Sequence, residues 1–250
     1  TSLTGYFERF IIYNDKKYDQ SIDRFGANFK QRIKLKNRSF VENKIVWEEF
    51  SDKSETNVQE RSLSSRLILD YRDDPLFTKK GYLLDLNIKS TGFGGSREYF
   101  KTDGTLQTYY PISSKSIAAI RLQLGRMWNW NENNPDYSYE KFYLGGSTSM
   151  RAWEVLRFKV KDGYPHGETI RLMTNLELRA DLYKLIGLTF FGDGGILTND
   201  MTSISYQNMK WNIGIGLTIK TPLGPFRIDY AQRLKEKNKG RIQLGVQSLF

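Results

Sequence analysis

The 250-residue chain contains no cysteine and only one histidine, His166. The absence of cysteine excludes disulfides and thiolate ligands, and it suits a chain that resides in an oxidising compartment. A single histidine argues against a histidine-based metal site and against a histidine-dependent catalytic triad. We therefore expect no histidine-based metal site and no histidine-dependent catalysis.

Long apolar runs are also missing, because no stretch approaches the roughly 18–20 apolar residues that a membrane helix needs. No segment shows a convincing helical period of 3.6 residues. The mean hydropathy of −0.56 would by itself suggest a soluble protein. That inference fails for β-barrels, whose strands alternate lipid-facing and lumen-facing residues. The net charge of +10 comes from Lys and Arg spread through every segment, which argues against a nucleic-acid-binding stripe.

What the chain does have is an alternation of apolar and polar residues with a period of two. The pattern is clear in the following segments: 25–35, 82–89, 118–125, 211–220 and 226–230. We count about twelve strands of about ten residues, which is close to the length of a tilted bilayer-spanning strand. The one long irregular stretch is 128–167, and a gap of this length in an all-β chain is usually functional or disordered.

Alternation alone does not separate a membrane barrel from a soluble two-sheet sandwich, since both have one apolar face. Glycines on the polar face favour a curved, closed sheet with groups packed inside it. These glycines are Gly125, Gly214, Gly216 and Gly245. The aromatic content of 14% also suits the girdles of a membrane barrel. The expected fold is therefore all-β, an antiparallel transmembrane β-barrel.

Segment 142–153 reads Phe-Tyr-Leu-Gly-Gly-Ser-Thr-Ser-Met-Arg-Ala-Trp. It resembles the loop motif of the BamA/TamA superfamily of outer-membrane β-barrels, also called the bacterial surface antigen family. In that motif a Gly-Gly pair precedes Ser, an apolar residue, Arg, Gly and an aromatic residue. Ala152 stands here where most members have Gly. The motif residues of this chain are Gly145, Gly146, Ser149, Arg151 and Trp153.

Further segments resemble the same family in the same order. Residues Phe191, Asp193 and Gly195 match its Phe-x-Asp-x-Gly strand motif. Segment 69–81 resembles its Asp-Thr-Arg-Asp-Asn-Pro turn, and segment 221–231 resembles its penultimate strand. The C-terminal insertion signal of the family is matched by Gln243, Gly245 and Phe250, although Ser248 stands where a large apolar residue is usual. The resemblance covers residues 69–250.

The family barrel has sixteen strands and is preceded by periplasmic domains. Twelve strands would then correspond to strands five to sixteen, so residues 1–250 would form the C-terminal part of one barrel. On this interpretation the chain lacks the first four strands and all periplasmic domains. The resemblance also implies that the loop 128–167 folds back into the barrel lumen.

Alternation places Asp193 on the same face as Gly187, Thr189 and Phe191, opposite an apolar face that includes Phe190. A carboxylate facing lipid would be costly, whereas one facing the lumen can be paired. The resemblance implies that Arg151 enters the lumen on the loop and meets Asp193, with Phe191 against its guanidinium plane. In the alternative, Arg151 and Asp193 are ordinary exposed residues on separate loops.

The resemblance implies a protein of the Gram-negative bacterial outer membrane that assists the insertion or translocation of other proteins. The expected partners are outer-membrane lipid and lipopolysaccharide, unfolded outer-membrane or secreted client proteins, and periplasmic or lipoprotein accessory subunits. No nucleic acid is expected. The resemblance implies no bond-breaking chemistry, so we expect no catalytic residue, no metal and no cofactor, and the protein is not expected to be an enzyme. Two alternatives remain open: a passive porin-like channel, and a soluble basic β-domain that binds polyanions.

Overall fold

The computed structural model describes residues 1–12, 20–52, 55–129, 140–222, 224–236 and 239–245. Within these residues the chain forms strands and two short 3-10 turns, Met201–Ser203 and Tyr206–Asn208. The strands are β1 Ser2–Ile12, β2 Gln20–Lys34, β3 Phe40–Asp52, β4 Glu55–Asp70, β5 Gly81–Thr91, β6 Tyr99–Ser113, β7 Ser116–Asn129, β8 Val160–Lys161, β9 Tyr164–Pro165, β10 Ile170–Tyr183, β11 Ile186–Thr198, β12 Lys210–Thr221, β13 Gly224–Arg233 and β14 Gly240–Gly245. No helix among these residues is long and apolar enough to cross a membrane.

Twelve of the strands form one sheet in chain order, from β1 to β7 and then from β10 to β14. The registers of its strand pairs are antiparallel, for example β10 with β7 and with β11. The short strands β8 and β9 pair only with each other, as a small hairpin within the β7–β10 connection. The prediction of about twelve antiparallel strands is confirmed.

Contacts along the chain divide it into two compact units. The first comprises Thr1–Ile68, Asp85–Asp103 and Met127–Tyr137. The second comprises Leu69–Leu84, Gly104–Arg126 and Ser138–Phe250. All of the motifs that carry the family resemblance lie in the second unit.

The polarity of the sheet in the second unit is the reverse of that in a soluble protein. In β12, Ile213 and Leu217 are 52% and 42% exposed, while Asn212 is fully buried. In β13, Tyr230 is exposed and Asp229 is buried. Apolar faces this extensive are not left open to water in soluble monomers. They are expected where strands contact hydrocarbon, with polar residues on the opposite face.

The first unit also has charged side chains on its buried face. Glu60 of β4 is almost completely buried and pairs with Lys89 Nζ at 2.6 Å and with Arg97 Nη1 at 3.5 Å. The hydroxyl of Tyr99 donates to the same carboxylate at 3.4 Å. A buried carboxylate is tolerated only with such partners. Charged groups therefore lie on the buried face in both units.

The connection between β4 and β5 is the turn expected from segment 69–81. The Oδ1 atom of Asp73 accepts hydrogen bonds from the backbone N–H groups of Asp74, Lys79 and Lys80. Asp74 Oδ1 accepts from the N–H groups of Leu76 and Phe77 in the same way. Paired acids here close the turn by capping backbone donors, as expected for Asp before Pro.

The long connection begins slightly later than predicted, because β7 continues through Trp128 to Asn129 before the sheet ladder ends. The next strand of the sheet, β10, begins at Ile170. Residues 130–139 of the connection lie outside the described part. We refer to the described part, residues 140–169, as the docked loop.

Candidate functional site: the docked loop and the polar face

Two adjacent glycines form the tight turn at the start of the loop motif. Gly145 and Gly146 have φ angles of +117° and +98°, which residues with a Cβ rarely adopt. The N–H of Gly145 donates to Ser149 Oγ at 2.8 Å, and the N–H of Gly146 donates to the Trp153 carbonyl at 3.0 Å. A Cβ on Gly145 would lie 2.1 Å from the carbonyl oxygen of Glu154. The Gly-Gly pair is therefore required by backbone geometry.

The docked loop packs into space left by glycines of the sheet. The ring of Phe142 lies over Gly125 of β7, where a Cβ would come within 2.5 Å of its Cζ. The side chains of Leu144 and Met150 both approach Gly195 of β11, each 3.0 Å from the position of a Cβ. Glycines on the polar face thus allow the loop to pack closely against the sheet. The position of Gly125 on the polar face had indicated such packing.

Arg151 is completely buried and its side chain ends in a cluster of carboxylates. It forms a two-pronged pair with Asp193, from Nε to Oδ2 at 3.0 Å and from Nη2 to Oδ1 at 2.6 Å. Its Nη1 donates to Glu177 at 2.7 Å and to Asp229 at 3.3 Å. The guanidinium carbon lies 3.4 Å from the centre of the Phe191 ring. The structure thus brings together the residues that the two motifs singled out.

The acceptors of Arg151 have further partners of their own. The side-chain amides of Asn175 and Asn212 donate to the two oxygens of Asp193 at 2.8 and 2.9 Å. Glu177 also accepts from Arg179 at 2.6 Å and from Arg227 at 3.1 Å. Buried carboxylates are tolerated when donors surround them in this way. The carboxylates of Asp193 and Glu177 are therefore held within a polar network of several donors.

The protonation state of Arg151 follows from these neighbours. Burial acts to lower the pKa of its guanidinium, but the negative charges of Asp193 and Glu177 outweigh burial and raise that pKa above its ordinary value. The side chain therefore remains a cation at every pH at which the protein would work. The docking contact is a permanent ion pair and does not respond to pH through the arginine.

Sequence reasoning did not assign a role to several residues of this network, although Arg227 and Asp229 lie in segment 221–231, which resembles the family's penultimate strand. The residues without an assigned role are Arg121, Asn175, Glu177, Asn212, Arg227 and Asp229. The available signal was strand register. Arg121 of β7 lies opposite Asn175 of β10, which lies opposite Asp193 of β11, which lies opposite Asn212 of β12. One row of polar residues therefore crosses four strands, and it becomes visible only once the pairings are known.

The last strand contacts the loop motif as well. Gln243 Nε2 donates to the carbonyl oxygens of Arg151 and Trp153 at 3.2 and 3.1 Å. Gly245 ends the described part of β14, opposite Arg227 of β13. Phe250 lies outside the described residues. Among the described residues expected to form the C-terminal signal, Gln243 thus contacts the loop.

The carboxylates of this site bind the arginine of the docked loop. The carboxylates of Asp193, Glu177 and Asp229 all accept from arginine or asparagine side chains, so none is placed as a free base. Within the described ranges no group of three or more His, Cys, Asp or Glu residues could hold a metal ion. The geometry favours positioning of a protein segment as the role of the site.

The fit between Phe191 and Gly214 yields a direct prediction. A Cβ at Gly214 would lie 2.3 Å from the Phe191 ring and 2.2 Å from the Tyr230 carbonyl oxygen. We expect Gly214→Ala to displace that ring from Arg151 and to lower the free energy of unfolding by about 1–3 kcal/mol, as overpacking does. Guanidinium titration in lipid vesicles, followed by tryptophan fluorescence, measures this loss.

The matched control for that substitution is Gly192→Ala in the neighbouring strand. A Cβ at Gly192 would meet only the Asn212 carbonyl oxygen, at 3.9 Å. We expect this variant to unfold within about 0.5 kcal/mol of the parent protein. Equal losses in the two alanine variants would show that backbone stiffening, and not the Phe191 contact, accounts for the effect.

Comparison with known proteins agrees with the fold and with the motifs. A family model described as "Omp85 superfamily domain" matches residues 9–248. Among solved structures, BamA from Haemophilus ducreyi superimposes with a TM-score of 0.80 over 97% of this chain and 57% of that chain, at 14% identity. This likeness supports the same antiparallel barrel fold.

Sequence relatives come from both bacteria and animals. The chain is 24% identical over 208 residues to the outer membrane protein assembly factor BamA of Neisseria meningitidis, covering 68% of this chain and 26% of that protein. It is 25% identical over 213 residues to the sorting and assembly machinery component 50 homolog B of Xenopus laevis, covering 74% of this chain and 44% of that protein. The chain thus spans less than half the length of these two relatives. Because the family model covers nearly the whole sequence, the chain belongs to the Omp85 superfamily of outer-membrane β-barrel proteins.

Proposed function

We propose that this chain is the barrel portion of a protein that inserts other β-strand proteins into, or moves them across, an outer membrane. The observation that carries the proposal is the docking of Arg151 against three carboxylates of the polar face. This contact lies between the two motifs that resemble those of assembly barrels. The names of the relatives, an assembly factor and a sorting and assembly component, support the same role.

In this proposal the polar face lines a lumen, and the docked loop occupies part of it. A barrel used for passive diffusion would instead leave a water-filled channel. The network of Arg151, Asp193 and Glu177 occupies part of that space with protein. This favours a barrel whose interior holds a fixed element over a porin-like channel.

The proposed entry site for a client is the edge of β14. In the sheet, β14 is the last strand of the order and pairs with β13. A sheet edge presents N–H and C=O groups that can template an incoming strand. Unfolded outer-membrane or secreted proteins are the proposed clients. Lipid and lipopolysaccharide are the proposed membrane partners, and periplasmic or lipoprotein subunits are the proposed accessory proteins.

The test is an insertion assay with the whole protein reconstituted in phospholipid vesicles. An unfolded eight-stranded barrel protein is added, and its folding is followed by the gel mobility of the unheated sample. We expect folding to be faster than with empty vesicles, and faster than with vesicles that contain the Arg151→Ala variant. A client that folds no faster than in empty vesicles would refute the proposal.

The same preparation separates the rival functions. Steady ion conductance without accelerated client folding would favour the porin-like channel. A protein that stays monodisperse without detergent and binds a polyanion would favour the soluble basic domain. The proposed bacterial location is tested by cell fractionation, in which the protein should follow the outer-membrane fraction.

A further inference from the structure

Four consecutive loop residues, 151–154, are each contacted by side chains of the last two strands. We name residues 151–154 the clamp segment. These contacts are separate from the ion pairs of the Arg151 side chain. That side chain binds carboxylates on β10, β11 and β13. We propose that the clamp segment fixes β14 to the sheet, and that Gln243 is the positioning residue that couples loop docking to the state of that strand.

Side-chain N–H groups of β13 and β14 donate to successive backbone carbonyls of the clamp segment. Gln243 Nε2 donates to the carbonyl oxygens of Arg151 and Trp153. Arg233 Nε of β13 donates to the intervening carbonyl, that of Ala152, at 3.0 Å. Three successive loop carbonyls are therefore bound by two side chains. Such a pattern requires the loop and the strand ends to be in register with each other.

Side chains of the clamp segment add two further contacts. The guanidinium of Arg233 lies 4.5 Å from the centre of the Trp153 ring. Arg241 of β14 pairs with Glu154, from Nη2 to Oε1 at 2.6 Å. The Arg241 pair is partly exposed and contributes less than a buried pair would. The Gln243 amide, which binds two carbonyls, is the main link between the loop and β14.

The described part of β14 is short. Among residues 240–245, its register with β13 covers six residue pairs, from Arg227 opposite Gly245 to Gln232 opposite Gly240. The apolar side chains of Ile242 and Leu244 point away from the protein, at 67% and 62% exposed. Gln243 and Arg241 bind the clamp segment, so within these residues the loop adds to the pairing with β13 in holding the strand.

Coupling of this kind is reciprocal. A displaced loop loosens β14, and a displaced β14 weakens the docking of the loop. A client strand that competes for the edge of β14 would thereby favour release of the loop. The last step rests on the proposed function, which assigns the edge of β14 to client entry. The clamp itself is a property of the protein alone.

The experiment is hydrogen–deuterium exchange on the whole protein in lipid nanodiscs. Gln243→Met keeps the length of the side chain and removes both donated hydrogen bonds. We expect the amides of residues 240–245 to exchange about tenfold faster, because the strand loses two hydrogen bonds to the loop and its opening is local. Gln243→Lys restores a donor at the same reach, so we expect exchange to return toward the parent rate.

Two further variants keep the test specific. Gln123→Met removes an amide donor from the same polar face, where Gln123 Nε2 binds Thr105 Oγ1 at 3.1 Å, and should leave residues 240–245 unchanged. Arg151→Ala, whose substituted side chain has no contact with Gln243, should speed exchange at 240–245 through the loop. Unchanged exchange there in both Gln243→Met and Arg151→Ala would overturn the clamp. Client folding measured in parallel reports on the proposed function separately, since accelerated folding with unchanged exchange would refute only the clamp.

Discussion

Replacing Arg151 by alanine should release the docked loop and remove most client-insertion activity, while the strands remain folded. The side chain is the cation that three buried carboxylates share, those of Asp193, Glu177 and Asp229. Glu177 and Asp229 keep other arginine partners, but leaving the buried Asp193 carboxylate without its cation costs about 3–5 kcal/mol. Moving the loop aside admits water to the carboxylates at a lower cost than unfolding the sheet. The result is a folded protein with a displaced loop.

The measurement combines limited proteolysis of the loop with the insertion assay in vesicles. We expect faster cleavage within 140–169, an insertion rate reduced at least about tenfold, and an unchanged heat-dependent gel shift of the barrel. Arg157→Ala is the matched control. Arg157 lies on the same loop, is partly exposed, and pairs with Glu154 at 3.3 Å. Equal losses of insertion in the two variants would contradict a special role for Arg151.

A lysine at position 151 separates charge from geometry. Arg151→Lys keeps the cation but loses the planar fork that binds both oxygens of Asp193. It also loses much of the flat contact with the Phe191 ring. We expect intermediate insertion activity, closer to the alanine variant than to the parent. Full activity of the lysine variant would mean that positive charge alone suffices.

Local pattern was enough to assign the faces of β11. Alternation placed Thr189, Phe191 and Asp193 on one face and Phe190 on the other, and the structure buries the first three while Phe190 is 51% exposed. The reason is physical, since a period of two fixes the direction of each side chain once the segment is known to be a strand. Most of the apolar and polar faces were predictable in this way.

The composition of the polar network was less predictable, because it depends on register and on the path of the loop. Asn175 and Glu177 lie in a strand whose alternation was not singled out, and only pairing with β11 places them opposite Asp193 and Phe191. The contact of Gln243 with Arg151 joins residues 92 positions apart along the chain. No local pattern encodes such a distance. The Arg151–Asp193 pair itself was expected from family resemblance and not from the residues alone.

The role of the glycines on the polar face was only partly predictable from the sequence. The placement of Gly125 and Gly214 on the polar face indicated that something packs against them. The sequence could not say what, because the partners are a loop ring, Phe142, at one position and a strand ring, Phe191, at the other. A missing Cβ shows that space is needed, whereas the occupant is set by tertiary structure.

The second large effect is expected from Asp193→Ala, on the free energy of unfolding. Whether the substitution destabilises the protein should depend on the presence of Arg151. In the parent protein Asp193 accepts from Arg151, Asn175 and Asn212, all of which are buried. Removing the carboxylate leaves these donors without their acceptor, and we expect the free energy of unfolding to fall by about 3 kcal/mol. In the Arg151→Ala background the same carboxylate has lost its cation, so its removal should be neutral or stabilising.

A double-mutant cycle measures this reversal as a coupling energy of about 3 kcal/mol, at the upper end of the range found for residues in one network. Guanidinium titration of the parent, the two single variants and the double variant in identical vesicles supplies the four values. Asp193→Asn is the companion variant, since it removes the charge and keeps one oxygen acceptor, which can serve either Asn175 or Asn212 because these two residues donate to different oxygens of Asp193. We expect it to lose less stability than the alanine variant, yet to show most of the loop release, because the ion pair with Arg151 is gone. Additive losses would mean that Arg151 and Asp193 act independently, and the docked loop would then be held mainly by its apolar packing on Gly125 and Gly195.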